Sequence, residues 1–354
     1  MTISFLQLVD LFEASLGGVI VAIALSPLAI WIAKRIGLLD IPGSAIHKQH
    51  THPTPLAGGI VLALSAVVLL TVFRMWHKPY VALSAAAAIV FVFGLWDDAR
   101  GLSAPQKLIG QVLASILLIA SGMSVQFLGG LSISFLSPIL IKVLNWGITI
   151  FWLVGIANSI NLIDSMDGLA AGIAGIAFAF FMGMALVAQQ SSLALFSAIF
   201  LGICIGLYIF NVNPARLFLG DSGAQTLGFI LAAVAMIYAP DNLPQASSWF
   251  VPIMVLGVPI FDTTLVVISR LLHRRPVFRA DRAHTYHRLV ALGLDSNRAV
   301  LAVHVTTLLL NFLAFIALSL PPFKATAIFA AVVFVGMILL ILLVRIEPQS
   351  RSDG

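Results

Sequence analysis

Eleven long apolar runs, joined by short polar connections, make up most of this 354-residue chain and leave few folds open to it. About 20 apolar residues suffice to cross the hydrocarbon core of a bilayer as a helix. The runs lie at 12–33, 55–73, 79–96, 105–121, 138–157, 168–188, 192–210, 222–239, 249–271, 299–319 and 324–344. Only 9% of the residues are charged, against roughly 25% in a soluble domain. The expectation is an all-α polytopic integral membrane protein of about eleven transmembrane helices, forming one transmembrane domain over residues 1–354. Residues 124–135 are too short to span and alternate about Gly129-Gly130, which predicts a small extracytoplasmic hairpin. Cys204 stands alone inside an apolar run, so disulfides are excluded and the thiol is expected to pack. The N-terminal stretch lacks a basic region ahead of its first apolar run, which argues against a cleaved signal peptide.

Lys and Arg set the orientation of such a chain. With the N-terminus outside, fifteen of the nineteen fall on the cytoplasmic side, leaving only Arg74, Lys78, Lys142 and Lys324 outside. The C-terminus is then cytoplasmic, and the basic balance needs no nucleic acid to explain it. Most of the acids gather on the same side, including Asp97, Asp98, Asp164, Asp167 and Asp221. Acids hardly affect topology, so their gathering points to a site there.

The stretch Asn158–Gly172, NSINLIDSMDGLAAG, sets Asn158, Asn161, Asp164 and Asp167 at steps of three between two apolar runs. Helix capping accounts for one carboxylate, with Asp167 as the N-cap of the sixth span. It does not account for two amides and a second acid on the same stripe. Carboxylate and amide oxygens suit a hard divalent ion, and Mg²⁺ keeps water and substrate phosphate oxygens in its shell.

Asp97 and Asp98 close the third span, where a helix C-terminus already carries negative charge, while Lys107 sits in the first turn of the fourth, again of unfavourable sign. Two opposed mismatches facing each other suggest a constellation in which Lys107 holds a phosphate. Ser103 and Pro105 fit the start of the fourth span as cap and first-turn residues. In Asn211–Gly223, NVNPARLFLGDSG, Asp221 can serve as an N-cap of the eighth span or as a ligand, and Phe218 can stack on a base. The segment Arg270–Arg288 is strongly basic and brings Arg282, His284, His287 and Arg288 together as a phosphate-binding surface. His47, Lys48, His50 and His52 form a smaller cationic cluster. Asp262 is an intramembrane acid, a functional candidate by default, and His304 is expected to be a packed histidine.

The order DD…K, NxxNxxDxxDGLAxG, NxxPAxxFxGDSG, PxxD…R…DRxHxxH resembles the polyprenyl-phosphate N-acetylhexosamine-1-phosphate transferases, with matching blocks from Asp40 to about Gly293. The resemblance implies transfer of a HexNAc-1-phosphate, GlcNAc-1-phosphate in the branch this chain is most similar to, from a UDP-sugar to undecaprenyl or another polyprenyl phosphate. UMP is released, Mg²⁺ (or Mn²⁺) is the cofactor, and the step opens cell-envelope glycan synthesis. It implies catalytic roles for Asp97, Asp98, Asp164 and Asp167, and metal ligation by Asn161 and Asp221. Substrate contacts follow for Lys48, Lys107, Asn158, Asn211, Phe218, Arg282, His284, His287 and Arg288. The expected partners are UDP-HexNAc, polyprenyl phosphate and the plasma-membrane bilayer, with a homodimer allowed and no nucleic acid. Three positions depart from the pattern: Ser165 replaces a glycine, Tyr286 replaces a histidine, and His47 replaces an arginine.

Other readings make different demands. A phospho-MurNAc-pentapeptide transferase typically has a run of adjacent histidines, which this chain lacks. CDP-alcohol phosphatidyltransferases share the Asp164–Asp167–Gly168 beginning, but here Gly172 stands where they have arginine. A nucleotide-sugar or ion transporter calls for acids near span centres and internal repeats, and no repeat is evident.

Overall fold

A bilayer offers backbone groups no water, so a spanning segment must pair its own N–H and C=O groups. The apolar runs accordingly fold as helices. The computed structural model describes residues 4–41, 52–127, 137–240, 249–274 and 284–346. The helices are α1 (Phe5–Ile36), α2 (Gly58–Val72), α3 (Tyr80–Arg100), α4 (Ala104–Ala120), α5 (Pro138–Ile163), α6 (Leu169–Val187) and α7 (Ser191–Asn211). They continue with α8 (Gly220–Ile237), α9 (Val251–Val255), α10 (Gly257–Leu272), α11 (Thr285–Ala291), α12 (Ser296–Leu318) and α13 (Pro322–Val344). Two short strands, β1 (Leu39–Asp40) and β2 (Thr54–Pro55), pair antiparallel between α1 and α2. Among the described residues, eight helices are long and apolar enough to cross a membrane, and α2 and α4 are shorter apolar helices. The expected hairpin falls mostly on residues 128–135, outside the described residues.

Polar caps mark the starts of α4, where the sequence predicts one, and of α1. The Ser103 N–H donates to Gln106 Oε1 (2.9 Å) at the start of α4, with Pro105 in the first turn. Ser4 and Gln7 form the reciprocal pair at α1. Without a hydrophobic drive between helices in lipid, close packing depends on small residues. α1 buries Ala14, Gly18, Ala22, Ser26, Ala29 and Ala33 along one stripe and lays it on α7.

The ninth apolar run is not one helix, contrary to the sequence expectation: it breaks at Leu256, between α9 and α10. Pro259 has no N–H to offer the carbonyl of Val255, four residues earlier. Asn311 Nδ2, from α12, donates to that carbonyl instead (3.1 Å). The lone Cys204 is buried, as expected. His304 Nε2 meets the Leu169 carbonyl at 3.2 Å, the packed role expected of it.

α8 is buried for most of its length, flanked by α3 and α5, whereas the apolar face of α13 stays exposed. Gly94 makes the close approach of α3 to α8 possible. A Cβ there would lie 2.5 Å from Ser222 Cα and 2.8 Å from Ser222 N, backbone that cannot move aside. Gly94→Ala is expected to destabilise the protein by about 1–3 kcal/mol through overpacking. Thermal unfolding in detergent checks this.

Candidate active site

Three helix ends bring the polar residues together: the last turns of α3 and α5 and the first turn of α8, with the start of α4 beside them. A helix N-terminus presents unpaired N–H groups and a partial positive charge. Asp98 fills that position for α8 from another helix. Its Oδ1 accepts the Asp221 N–H (2.7 Å), and its Oδ2 accepts the Ser222 N–H (3.1 Å) and hydroxyl (2.6 Å). Gly220 gives it room: this residue has φ 70°, and a Cβ would stand 2.7 Å from Asp98 Oδ2. Gly220→Ala is therefore expected to cost about 1–3 kcal/mol in strain and to displace Asp98. Apparent melting temperature reports the strain.

The expected N-cap role of Asp221 is corrected by this geometry. Leu219 occupies the cap position and Asp221 lies inside the first turn. Because Asp98 satisfies the backbone, the Asp221 side chain is available to other groups. Its Oδ1 accepts from Asn161 Nδ2 (2.8 Å), Gln225 Nε2 (3.0 Å) and Lys107 Nζ (3.3 Å). Lys107 also forms an ion pair with Asp97. Asp97 Oδ1 accepts the Leu102 N–H (2.6 Å). The opposed charges at the ends of α3 and α4 thus meet, as their placement in the sequence suggested.

Behind Asp221 runs a chain of amides. Gln225 Oε1 accepts from Gln111 Nε2 (2.9 Å), and Gln111 Oε1 accepts from Asn158 Nδ2 (2.7 Å). The chain turns the Gln225 amide nitrogen toward Asp221. Asn158 Nδ2 also donates to the Val154 carbonyl (2.8 Å). Gln111 and Gln225 were not singled out from the sequence, although each is a polar residue inside an apolar helix.

Asp164 follows the last residue of α5. Among the described residues no donor bonds its carboxylate. Burial, and then the charges of Asp221, Asp98 and Asp167, push it up to about 8. Asp167 is not the expected cap of α6, where Gly168 occupies that position. Its Oδ2 accepts the Ala215 N–H (3.1 Å). Asn211 is buried and staples the loop: Oδ1 accepts the Gly168 N–H (3.2 Å) and Nδ2 donates to the Leu217 carbonyl (3.0 Å). Phe218, half-buried, is fixed by its N–H to the Pro55 carbonyl (2.9 Å) and by the Gly58 N–H to its own carbonyl (2.9 Å).

The histidine segment is anchored separately. Asp262, fully buried on α10, accepts from His284 Nδ1 (2.8 Å) and from the Thr285 N–H (2.7 Å). Arg288 is buried, donating to the Ser269 hydroxyl (2.8 Å) and to the carbonyls of Leu343 and Ile346 at the end of α13. A cation suits a helix C-terminus, so the expected phosphate contact at Arg288 is corrected to a structural one. The His287 ring lies against Tyr286. Lys48 and Arg282 lie outside the described residues.

Asp164, Asp221 and the Asn161 amide offer hard oxygen donors, and the crowding that raises Asp164 is relieved by a cation. Among the described residues no three His, Cys, Asp or Glu side chains form a metal-binding group.

The arrangement coincides with a known family. Residues 80–239, which run from α3 to α8 and carry Asp97, Asp98, Lys107, Asp164, Asp167 and Asp221, match glycosyl transferase family 4. A probable undecaprenyl-phosphate N-acetylglucosaminyl 1-phosphate transferase of Bacillus subtilis (strain 168) is 30% identical, over 84% of this chain and 82% of its own length. The chain belongs to glycosyl transferase family 4. The chain also resembles the decaprenyl-phosphate N-acetylglucosaminephosphotransferase of Mycolicibacterium smegmatis (28% identical, 98% and 92% covered) and the phospho-N-acetylmuramoyl-pentapeptide-transferase of Thermoanaerobacter sp. strain X514 (31%, 79% and 88%). The family match ends before α11, so the anchored histidine segment stands outside it.

Proposed function

We propose that this protein transfers GlcNAc-1-phosphate from UDP-GlcNAc to a polyprenyl phosphate such as undecaprenyl phosphate, releasing UMP. The observation that carries the reading is the meeting of Asp97, Lys107, Asn161 and Asp221 at four helix ends, inside the segment that matches the family. Relatives named for N-acetylglucosamine transfer to prenyl phosphates align along most of the chain. We place the N-terminus outside and the C-terminus in the cytoplasm, with eleven crossings of the plasma membrane and the site on the cytoplasmic face. The Lys and Arg distribution supports that placement.

In the proposed reaction an oxygen of the lipid phosphate attacks the β-phosphorus of UDP-GlcNAc. The bond to the bridging oxygen breaks, and UMP leaves with that oxygen. The lipid phosphate is already an anion near pH 7, so positioning and charge compensation matter more than a strong base. Lys107, held between Asp97 and Asp221, is placed to receive a phosphate oxygen. Phe218 offers a ring for the uracil. Asp164, Asp221 and Asn161 would hold Mg²⁺, which when bound screens the diphosphate charge and stabilises the departing UMP. The prenyl tail stays in lipid while the nucleotide arrives from water.

The test is UMP release by the purified protein with polyprenyl phosphate, Mg²⁺ and a panel of UDP-sugars. UDP-GlcNAc is expected to support turnover, UDP-MurNAc-pentapeptide is not, and EDTA is expected to stop the reaction. Absence of UMP release with every UDP-HexNAc overturns the proposal.

A further inference from the structure

Two residues far apart in the sequence touch each other beside the acidic loop. Ser165, in the loop between Asp164 and Asp167, shares a hydrogen bond with the hydroxyl of Tyr286 on α11. The two residues are 121 positions apart in sequence. Ser165 is exposed, whereas Tyr286 is 1% exposed. The Tyr286 ring is stacked 5.7 Å from that of His284 and packed 4.3 Å from that of His287.

We propose that Tyr286 is a positioning residue, holding the Asp164 loop in place through Ser165. The inference rests on the reading that Asp164 faces a cation. α11 is suited to act as the fixed side. Asp262 holds its first residues, and Arg288 holds it to α10 and to the end of α13. The acidic loop is tied down at Asp167 by Ala215 and at Gly168 by Asn211. Asp164 has no side-chain donor of its own among the described residues, so the tether one residue later bears directly on where its carboxylate points. The site is thereby coupled to the histidine segment, which lies outside the family match.

The experiment is a double-mutant cycle read in two ways: Mn²⁺ affinity by electron paramagnetic resonance, without substrate, and kcat with UDP-GlcNAc. Tyr286→Phe keeps the packed ring and loses only the hydroxyl. Ser165→Ala alters an exposed position and is expected to fold even where Tyr286→Phe does not. A net hydrogen bond is worth about 1 kcal/mol, so each variant is expected to weaken Mn²⁺ binding and lower kcat by roughly fivefold. The double variant is expected to lose no more than either single one, with KM for the UDP-sugar unchanged. Mn²⁺ affinity within twofold of the parent in both single variants, or losses that add in the double, overturns the proposal. Because the Mn²⁺ measurement needs no turnover, it stands apart from a failure of UMP release in the parent protein, which overturns the functional reading alone.

Discussion

Asp221→Asn is expected to lower UMP release by about 10²–10³-fold, the scale on which losing a single transition-state contact is felt, while leaving the protein folded. Three donors converge on Asp221 Oδ1 from α4, α5 and its own helix. An asparagine carbonyl oxygen can still accept from the two amides, Asn161 and Gln225. What the substitution removes is the negative charge, and with it the attraction for a divalent ion and the hold on Lys107. It also relieves repulsion among Asp97, Asp98, Asp164 and Asp221. Apparent melting temperature is therefore expected to change little, because the lost pairing with Lys107 offsets that relief. Calorimetry without substrate should show Mn²⁺ binding lost together with activity. Retained Mn²⁺ binding alongside lost turnover would move the metal assignment to Asp164 and Asn161. Unchanged UMP release would remove Asp221 from the chemistry.

Much of this site could be read from the chain because its chemistry offends the local physics. Asp97 and Asp98 have the wrong sign for a helix C-terminus, and Lys107 the wrong sign for an N-terminus. Such local conflicts show in one dimension and tend to mark functional sites. Hydropathy located the helices for the same reason: the bilayer sets a length that any chain must meet. What stayed hidden is long-range. Nothing in the order of residues says that Asp98 reaches the backbone of Asp221, 123 positions away. Nor does it say that Arg288 turns inward to the carbonyls of Leu343 and Ile346 instead of outward to a phosphate. Asn158 and Asn211 look like ligands in sequence because polar residues are rare here. In the fold each has a structural partner, since an amide inside a bundle must find one. The break at Leu256 needed both Pro259 and a donor from α12, and only the first is visible locally.

The adjacent pair Asp97-Asp98 divides into two jobs, and this leads to the second large effect. Asp98→Ala is expected to damage folding more than any other change at an aspartate of this site. Three donors lose their acceptor at once: the N–H groups of Asp221 and Ser222 and the Ser222 hydroxyl. Leaving buried donors without a partner costs about 1–3 kcal/mol each. A loss of about 3 kcal/mol corresponds to roughly 4 °C in apparent melting temperature for a chain of this size. Asp98→Asn should lie between the two, because its oxygen can accept while its amide nitrogen faces a donor. Asp97→Ala, which loses the Lys107 ion pair and the Leu102 N–H bond, is expected to reduce turnover with a smaller thermal shift. The comparison separates the roles. If Asp98→Ala keeps its melting temperature within about 2 °C of the parent while activity disappears, then Asp98 acts on the substrate and not through α8. If both fall together and Mn²⁺ affinity falls with them, Asp98 works by fixing the helix end that carries Asp221.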